Sequence, residues 1–336
     1  MPVSLPCEGR GGPGWGSGLS APIRKARVRS GLFRWFRMFD TTPQLDCAGR
    51  ILKLDRPRVI GIVNVTPDSF SDGGEHDTAE QAIAHGLQLA DEGADALDVG
   101  GESTRPGAHE VSIEDELERV IPVIQALASR TTLPISIDTS KPEVMRAAVA
   151  AGAGMINDVY ALRREGALQA AAGLGVPVVL MHMLGEPRSM QEAPEYDEVV
   201  GDVHRFLTER IFAAEMAGIP RKHLVVDPGF GFGKTREHNL ALLAQLERFA
   251  ELGVSVLAGL SRKKTIGDLT GRDDPHQRVH GSVAAALIAA QRGAKLLRVH
   301  DVAATVDALK VWNAVDTVVM PRGKPAAPGI HWPDDA

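Results

Sequence analysis

A strand–helix unit repeats along this chain from residue 59 onward, and it restricts the fold to very few architectures. Each unit consists of a helical stretch, a turn of small residues, a β-rich run and a polar loop. The turns resemble one another, as in EGADALDVG, AGAGMINDV and RGAKLLRVH. Glycine in these turns supplies the left-handed residue that ends a helix just before the next strand begins. Repeated units of this kind indicate a parallel sheet covered by helices.

Eight β-rich runs of the repeat are predicted to form strands, because each starts with consecutive apolar residues, as buried parallel strands do. They span residues 59–66, 96–103, 134–140, 155–160, 177–183, 224–230, 256–262 and 296–301. Helical patterns between them cover residues 78–92, 112–129, 141–151, 236–252 and 277–292. An open doubly wound sheet also alternates strands with helices. Eight regular units over roughly 260 residues are more typical of a closed (β/α)8 barrel.

We therefore predict a single α/β domain, a TIM barrel over residues 46–320. Residues 1–45 are expected to form an N-terminal extension and residues 321–336 a C-terminal tail. The extension opens with the glycine-rich run EGRGGPGWGSGL, which cannot bury a core, so we expect it to be disordered.

The origin of the extension has two readings. Residues 1–39 carry seven basic side chains and one acidic side chain, and an arginine-rich, acid-poor start is typical of an organelle transit peptide. The alternative is an over-long start, with the protein beginning at Met38. The glycine-rich opening would make a poor amphipathic helix, and this favours the second reading.

Charge, hydropathy and cysteine content argue against several classes of protein. The whole chain has a net charge of −6, whereas a general nucleic-acid binder needs a basic face. No apolar run reaches the roughly 18–20 residues that a membrane span needs. The two cysteines, Cys7 and Cys47, lack the CxxC spacing of metal sites and fit a reducing compartment. We expect a cytoplasmic protein that binds neither nucleic acid nor membrane.

Every predicted strand begins apolar and ends polar. In a barrel the strand ends converge on one face, and a ring of unpaired acids and amides there would cost stability unless a ligand or a partner satisfied it. A site at this face is therefore predicted. The polar residues at or near the strand ends are Asn64, Asp98, Asp138, Asn157, His182, Asp227, Ser261, Arg298 and His300.

Three segments near the end of the repeat indicate a site for a phosphorylated ligand. Arg298 and His300 are two residues apart, so both point to the same side of the last strand, where barrels commonly hold phosphate. The segment DPGFGFGK places glycines where backbone can approach a ligand, with Phe232 available for stacking. The segment SRKKTIG opens a helix whose N-terminus can bind an anion. Arg298 could instead pair with an acid and His300 with a carbonyl group.

The order and spacing of eight segments closely resemble the dihydropteroate synthase family. These segments are NVTPDSFSDGG, DVGGESTRPG, ISIDTSKPEV, INDV, LMHM, DPGFGFGK, GLSRKKTIG and LRVHDV. The similarity runs from about residue 59 to about residue 311 and leaves the N-terminal extension without a counterpart. It implies a TIM-barrel transferase that joins 6-hydroxymethyl-7,8-dihydropterin pyrophosphate to 4-aminobenzoate in folate biosynthesis.

The resemblance also assigns site residues. The implied catalytic residues are Asn64, Asp138, Asp227, Lys263, Arg298 and His300. The implied pterin site consists of Asp138, Asn157, Met181, Asp227, Phe232 and Lys263. The implied pyrophosphate site consists of Asn64, Thr104, Arg105, Arg298 and His300, with Asn64 as the protein contact of a Mg²⁺ ion. The implied 4-aminobenzoate site consists of Phe70, Thr104, Pro106, Phe232, Ser261 and Lys264.

The resemblance further implies a homodimer and a dissociative reaction, in which pyrophosphate leaves before the amine attacks. One position departs from the family, because many members carry serine where this chain has Lys264. A methyltetrahydrofolate:corrinoid methyltransferase-like enzyme would share the pterin acids but has no diphosphate to hold. A metal-dependent hydrolase barrel usually opens with His-x-His, which is absent from strand 1. A non-catalytic paralogue would be expected to lack Arg105, Lys263 or Arg298, and all three are present.

Overall fold

The computed structural model describes residues 42–66, 75–103, 110–185, 190 and 194–318. Within these ranges, eight parallel strands close into a barrel, and helices alternate with the strands along the chain. The predicted (β/α)8 architecture is therefore confirmed. A separate two-stranded antiparallel hairpin precedes the barrel.

The strands, numbered along the chain, have the following bounds: β1 Gln44–Cys47, β2 Arg50–Lys53, β3 Arg58–Asn64, β4 Ala96–Gly100, β5 Ile135–Asp138, β6 Met155–Asp158, β7 Val178–Met181, β8 Leu224–Asp227, β9 Ser255–Ala258 and β10 Leu296–Val299. The helices are α1 Glu75–Asp91, α2 Ile113–Arg130, α3 Pro142–Ala151, α4 Ala167–Leu174, α5 Val199–Met216, α6 Arg236–Ala244, α7 Glu247–Ala250, α8 Lys264–Thr270, α9 Val279–Gln291 and α10 Val302–Asp316. Strand β10 pairs with both β3 and β9 and so closes the barrel.

The barrel strands are buried because their side chains alternate between the interior and the helix layer. Strands β4, β6, β7 and β8 are buried at every position. The ladders end two to four residues before the predicted strand ends, since the polar residues that follow leave the sheet. These residues therefore lie at the carboxyl end of the barrel, which we call the mouth.

Two of the predicted helices contain a change of structure that the sequence did not indicate. The predicted helix at 236–252 is divided into α6 and α7 at Gln245, whose backbone leaves the helical region and lets the chain turn so that Leu246 and Phe249 are both fully buried. The predicted helix at 277–292 begins at Val279, after a short 3-10 turn capped by Asp274. None of the helices in the described ranges is long and apolar enough to cross a membrane.

The β1–β2 hairpin closes the end of the barrel opposite the mouth. Its inward side chains Leu45, Cys47, Leu52 and Leu54 pack in one buried cluster with the lowest layer of barrel interior side chains, which includes Met155. Gly154 allows this contact, because a Cβ atom there would lie 2.3 Å from the carbonyl oxygen of Cys47. The sequence did not predict the hairpin, and β1 begins at Gln44, inside the stretch assigned to the extension.

Candidate active site

The mouth of the barrel brings together side chains from strands that are far apart in the sequence. On β10, Leu296 belongs to the buried layer above the hairpin, and Arg298 follows two residues later on the same inward face. The same step leads from Ala96 to Asp98 on β4 and from Met155 to Asn157 on β6. The alternation of the strands therefore places a polar layer above an apolar one.

Arg298 joins two carboxylates in this polar layer. Its Nε donates to Oδ2 of Asp98 at 2.5 Å, and its Nη2 donates to Oδ2 of Asp138 at 2.7 Å. The same Asp98 oxygen accepts from Nδ2 of Asn157 at 3.2 Å. The other Asp98 oxygen, Oδ1, is buried and finds no hydrogen-bond partner among the residues that the structure describes. Arg298 therefore pairs with acids, as the alternative interpretation of the sequence expected. This pairing holds the polar side chains of the site together.

Asp227 and Lys263 lie beside this network. A Cβ atom at Gly259 would come within 4.0 Å of side-chain atoms of Asp227, Lys263 and Arg298, so the three groups meet around one glycine. Asp227 Oδ1 accepts from the backbone amide of Gly229 at 2.7 Å. The ammonium group of Lys263, the carboxylate of Asp227 and the side chain of Arg298 thus border a space that stays open because position 259 has no side chain.

Burial shifts the proton affinities of these groups. Burial raises the pKa of Asp138 to about 7, although Arg298 opposes the shift. It also raises the pKa of Asp227, against the influence of Lys263, and lowers the pKa of Lys263 to about 8, against the influence of Asp227. Burial alone would lower the pKa of Arg298, but Asp98 and Asp138 raise it above its ordinary value. The arginine is therefore permanently charged, while Asp138 and Lys263 titrate near neutrality.

An apolar wall borders the charged groups. Met181, Met183 and Met190 form a buried cluster with Val159, against which Phe232 packs. The Nζ atom of Lys263 lies 4.4 Å from the centre of the Phe232 ring. Flat aromatic and thioether surfaces next to hydrogen-bonding groups suit a planar heterocycle with polar edges.

Ser261 orients His300 at the rim. The Ser261 hydroxyl oxygen accepts from the backbone amide of His300 at 3.1 Å and lies 3.1 Å from its Nδ1 atom. Asn64 ends β3 and is half-buried, and within the described part of the chain no hydrogen bond engages its side chain. His300 and Asn64 therefore present an imidazole and an amide at the mouth.

The structure does not bring every predicted residue to this place. The Lys264 side chain is 84% exposed, and its ammonium group binds both carboxylate oxygens of Asp268 one helical turn away. The predicted contact of Lys264 with the carboxylate of 4-aminobenzoate stays a prediction. Four further predicted residues lie outside the described ranges: Phe70, Thr104, Arg105 and Pro106.

The sequence reasoning gave no role to Asp98 and Lys234. Asp98 was noted only as a polar strand end, yet it is the group that links Arg298 to Asn157. The sequence places Asp98 between apolar residues of a buried strand, and a carboxylate buried there requires a partner. Lys234 ends the DPGFGFGK segment and is almost completely buried, which a lysine in a loop sequence does not indicate.

Taken together, the mouth offers acceptors for N–H groups at Asp138, Asp227 and Asn157. It also offers cationic donors at Lys263 and Arg298. Carboxylates accept two N–H groups from an aminopyrimidinone edge. Arg298 uses Nε and Nη2 for Asp98 and Asp138, and among the described residues its Nη1 has no partner and can donate to a phosphoryl oxygen. In the part of the chain that the structure describes, no group of three histidine, cysteine, aspartate or glutamate side chains could hold a metal ion by itself.

Comparison with known proteins identifies the family of this barrel. The profile of the pterin-binding enzymes matches residues 60–300. Dihydropteroate synthase of Escherichia coli K12 is 52% identical over 271 residues, which cover 81% of this chain and 96% of that protein. The Haemophilus influenzae dihydropteroate synthase is 50% identical over 266 residues, covering 79% and 96%.

Two solved structures extend the likeness to three dimensions. Xanthomonas albilineans dihydropteroate synthase with 4-aminobenzoic acid is 71% identical, with a TM-score of 0.80, covering 83% of this chain and 100% of the other. The same enzyme in complex with 7,8-dihydropteroate is 68% identical, with a TM-score of 0.76, covering 82% and 100%. With its barrel, its polar mouth and these identities, this chain belongs to the dihydropteroate synthase family of pterin-binding enzymes.

Proposed function

We propose that the mouth of this barrel joins 6-hydroxymethyl-7,8-dihydropterin pyrophosphate to 4-aminobenzoate and releases 7,8-dihydropteroate and pyrophosphate. The observation that carries the proposal is the meeting of Asp227, Lys263 and Arg298 around Gly259, with Asp138 bound to the same arginine. Relatives more than 65% identical were solved with 4-aminobenzoic acid and with 7,8-dihydropteroate, the second substrate and the product of this reaction. The protein is accordingly a transferase of folate biosynthesis.

The acidic side chains recognise the pterin. Asp227 accepts from the exocyclic amine and the neighbouring ring N–H, since one carboxylate can accept both. Asp138 and Asn157 serve the other polar edge, and Lys263 donates to the carbonyl side of the ring. Asn157 and Asp227 are buried and Asp138 and Lys263 are half-buried, which supports the assignment because water competes poorly for hydrogen bonds in such a site. Met181 contacts a flat face of the heterocycle, and Phe232 lies between the heterocycle and 4-aminobenzoate and contacts the ring of the arylamine.

Arg298 assists the breaking of the C–O bond to the diphosphate. In the first step the C–O bond between the pterin methylene and the diphosphate opens, and the electron pair leaves with pyrophosphate. Arg298 and His300 stabilise the negative charge that develops there. The resulting cation is delocalised into the dihydropterin ring. The amine nitrogen of 4-aminobenzoate then forms the C–N bond and loses one proton to water, so no side-chain nucleophile is required.

The residues at the mouth also fit a Mg²⁺ ion. The Asn64 side chain is half-buried and makes no hydrogen bond among the described residues, so its amide oxygen is open to a ligand. Mg²⁺ takes few protein ligands and completes its shell with water and phosphate oxygens. A bound Mg²⁺ would supply charge neutralisation at the diphosphate. Asn64 would be the protein contact.

A homodimer is supported by exposed apolar side chains on α10 and on α8. Val311 and Val315 lie one turn apart on α10 and are 67% and 68% exposed, and Leu269 on α8 is 53% exposed. The exposed valines lie in the last two turns of α10, whereas the site residue His300 precedes its first turn. A second copy of the chain would bury this surface without blocking the mouth.

We further propose that the protein works in the cytoplasm. Its pterin substrate carries a diphosphate, whose charge prevents passive passage through a bilayer, so the enzyme must share the compartment in which the substrate is made. Cys47 is a free thiol buried under the barrel, and burial raises its pKa to about 12, which keeps it unreactive.

The test is a reaction of purified protein with Mg²⁺, dihydropterin pyrophosphate and 4-aminobenzoate, followed by detection of dihydropteroate. Asp227→Ala is expected to abolish pterin binding, because the heterocycle loses its main acceptor. Arg298→Ala is expected to weaken pyrophosphate far more than 4-aminobenzoate. Wild-type pterin affinity in the first variant, or equal losses for both ligands in the second, would contradict these roles.

A further inference from the structure

Lys234 is a buried lysine that forms no ion pair within the described ranges. It is 3% exposed. Its Nζ atom lies 2.9 Å from Nδ1 of His182, and it donates to the carbonyl oxygens of Phe232 at 2.9 Å and of His182 at 3.3 Å. One imidazole and two backbone carbonyl groups thus occupy the three hydrogen-bonding positions of Nζ.

Burial of this nitrogen is unfavourable in itself. Burial lowers the pKa of Lys234 well below its ordinary value, with Asp227 opposing and Lys263 adding to the shift. Burial likewise lowers the pKa of His182 to about 2, so the imidazole is neutral. An apolar side chain of similar length would fill the space without this desolvation cost. Unlike an apolar side chain, Lys234 donates hydrogen bonds to two backbone carbonyl groups.

A second side chain holds the next carbonyl group along the chain. The Tyr196 hydroxyl donates to the carbonyl oxygen of Gly233 at 2.8 Å. The Tyr196 ring lies against His182, at 6.0 Å between ring centres, and the His182 ring meets Phe206 edge-on at 4.8 Å. The peptide groups that follow Phe232 and Gly233 therefore accept hydrogen bonds from Lys234 and Tyr196, and both of these side chains contact His182.

These contacts determine the position of the Phe232 ring. Phe232 is flanked by Gly231 and Gly233, whose φ angles are +78° and +60°, and a Cβ atom at Gly233 would lie 2.5 Å from the carbonyl oxygen of Leu184. Left-handed glycines have little local preference for one conformation. Before Phe232 the backbone is held by the Gly231 amide, which donates to Oδ1 of Asn239 at 2.7 Å. After Phe232 it is held by the hydrogen bonds from Lys234 and Tyr196, and their loss would let this side of the backbone shift, and the ring with it.

We propose that Lys234, together with Tyr196, is a positioning residue that holds the Phe232 ring against the Lys263 ammonium group and thereby shapes the binding surface for the arylamine. This inference rests on the function proposed above, in which Phe232 contacts 4-aminobenzoate. Lys234 itself touches no substrate in this scheme. It acts through the carbonyl group of Phe232.

The first experiment compares Lys234→Met with Lys222→Met, an exposed lysine away from the mouth. In Lys234→Met the KM for 4-aminobenzoate is expected to rise about tenfold or more, because small displacements of a binding group are costly. The Kd for dihydropterin pyrophosphate should change less than about threefold, which is under 1 kcal/mol. Lys222→Met is expected to match the wild type in both constants.

The second experiment uses Tyr196→Phe, which removes one hydroxyl group and tests the proposal even if Lys234→Met fails to fold. Its KM for 4-aminobenzoate should rise by about threefold, and this effect should vanish in a Phe232→Leu background, because no ring remains to be positioned. An equal effect in both backgrounds, or equal losses for both substrates, would overturn the proposal. A wild type without turnover would instead defeat the proposed function.

Discussion

At the scale of single residues, the site is defined by charges that are buried together rather than by any reactive side chain. Arg298 is shared by Asp98 and Asp138, and Lys263 lies next to Asp227. Each group is held close to an opposite charge, which offsets part of the cost of burial. The arrangement recognises and orients, and it leaves the bond-making to the two substrates.

The charge state of Lys263 is expected to control pterin binding near neutral pH. Because burial lowers its pKa to about 8, the ammonium form is present below that pH and is lost above it. Affinity for 6-hydroxymethyl-7,8-dihydropterin should therefore fall as the pH rises through about 8. Calorimetric titration at several pH values measures this. A Lys263→Arg variant stays charged and should lack the fall, whereas an identical fall in both proteins would assign the titration to another group.

Asp98 is expected to matter for the reaction although it lies beneath the substrates. Asp98→Asn keeps the shape but removes the negative charge that holds Arg298. We expect kcat to fall by about tenfold or more because the guanidinium group loses its fixed orientation. Steady-state kinetics tests this, with Asp95→Asn at the opposite end of the barrel as the control. A normal kcat in Asp98→Asn would show that Asp138 alone orients the arginine.

At the scale of elements, the packing of the hairpin against the barrel strands depends on one glycine, Gly154. Gly154→Ala would place a methyl group 2.3 Å from the carbonyl oxygen of Cys47 and force β1 away from the barrel. We expect a loss of about 1–3 kcal/mol in the free energy of unfolding. Urea denaturation provides the measurement.

Gly173→Ala is the matched control for that substitution. Gly173 lies in α4, and nothing stands within 4 Å of a Cβ atom there. Replacing a helical glycine with alanine is expected to stabilise the protein by up to about 1 kcal/mol. If Gly154→Ala were as harmless as Gly173→Ala, the close packing of the hairpin would not contribute to stability.

The eight barrel strands could be predicted from the sequence because the repeat and the buried apolar runs are local signals. Their polar ends identified Asp138, Asn157 and Asp227 for the same reason. The link between Asp98 and Arg298 spans 200 residues and exists only once the barrel closes, so no local pattern indicates it. The short helix α4 was not predicted because two turns give too little periodicity, and the hairpin because its strands have four residues each.

At the scale of the whole molecule, the exposed valines of α10 predict association of two chains. Val315→Glu is expected to shift the protein from a dimer to a monomer, because a buried carboxylate without a partner would destabilise the contact. Light scattering after gel filtration measures the mass. Phe212→Glu on α5, also exposed, should leave the mass unchanged. A wild type with the mass of one chain would refute the dimer.

The hairpin beneath the barrel has a consequence for the order of events during turnover. With Leu45, Leu52 and Leu54 sealing the lower end, every molecule that reaches the polar layer must come and go by a single route. In the proposed site the heterocycle has its partners deepest in that route, so we expect it to bind before the arylamine, and an arylamine that binds first to block its entry. Pyrophosphate that stays at Arg298 is expected to compete with the diphosphate group of the next pterin substrate.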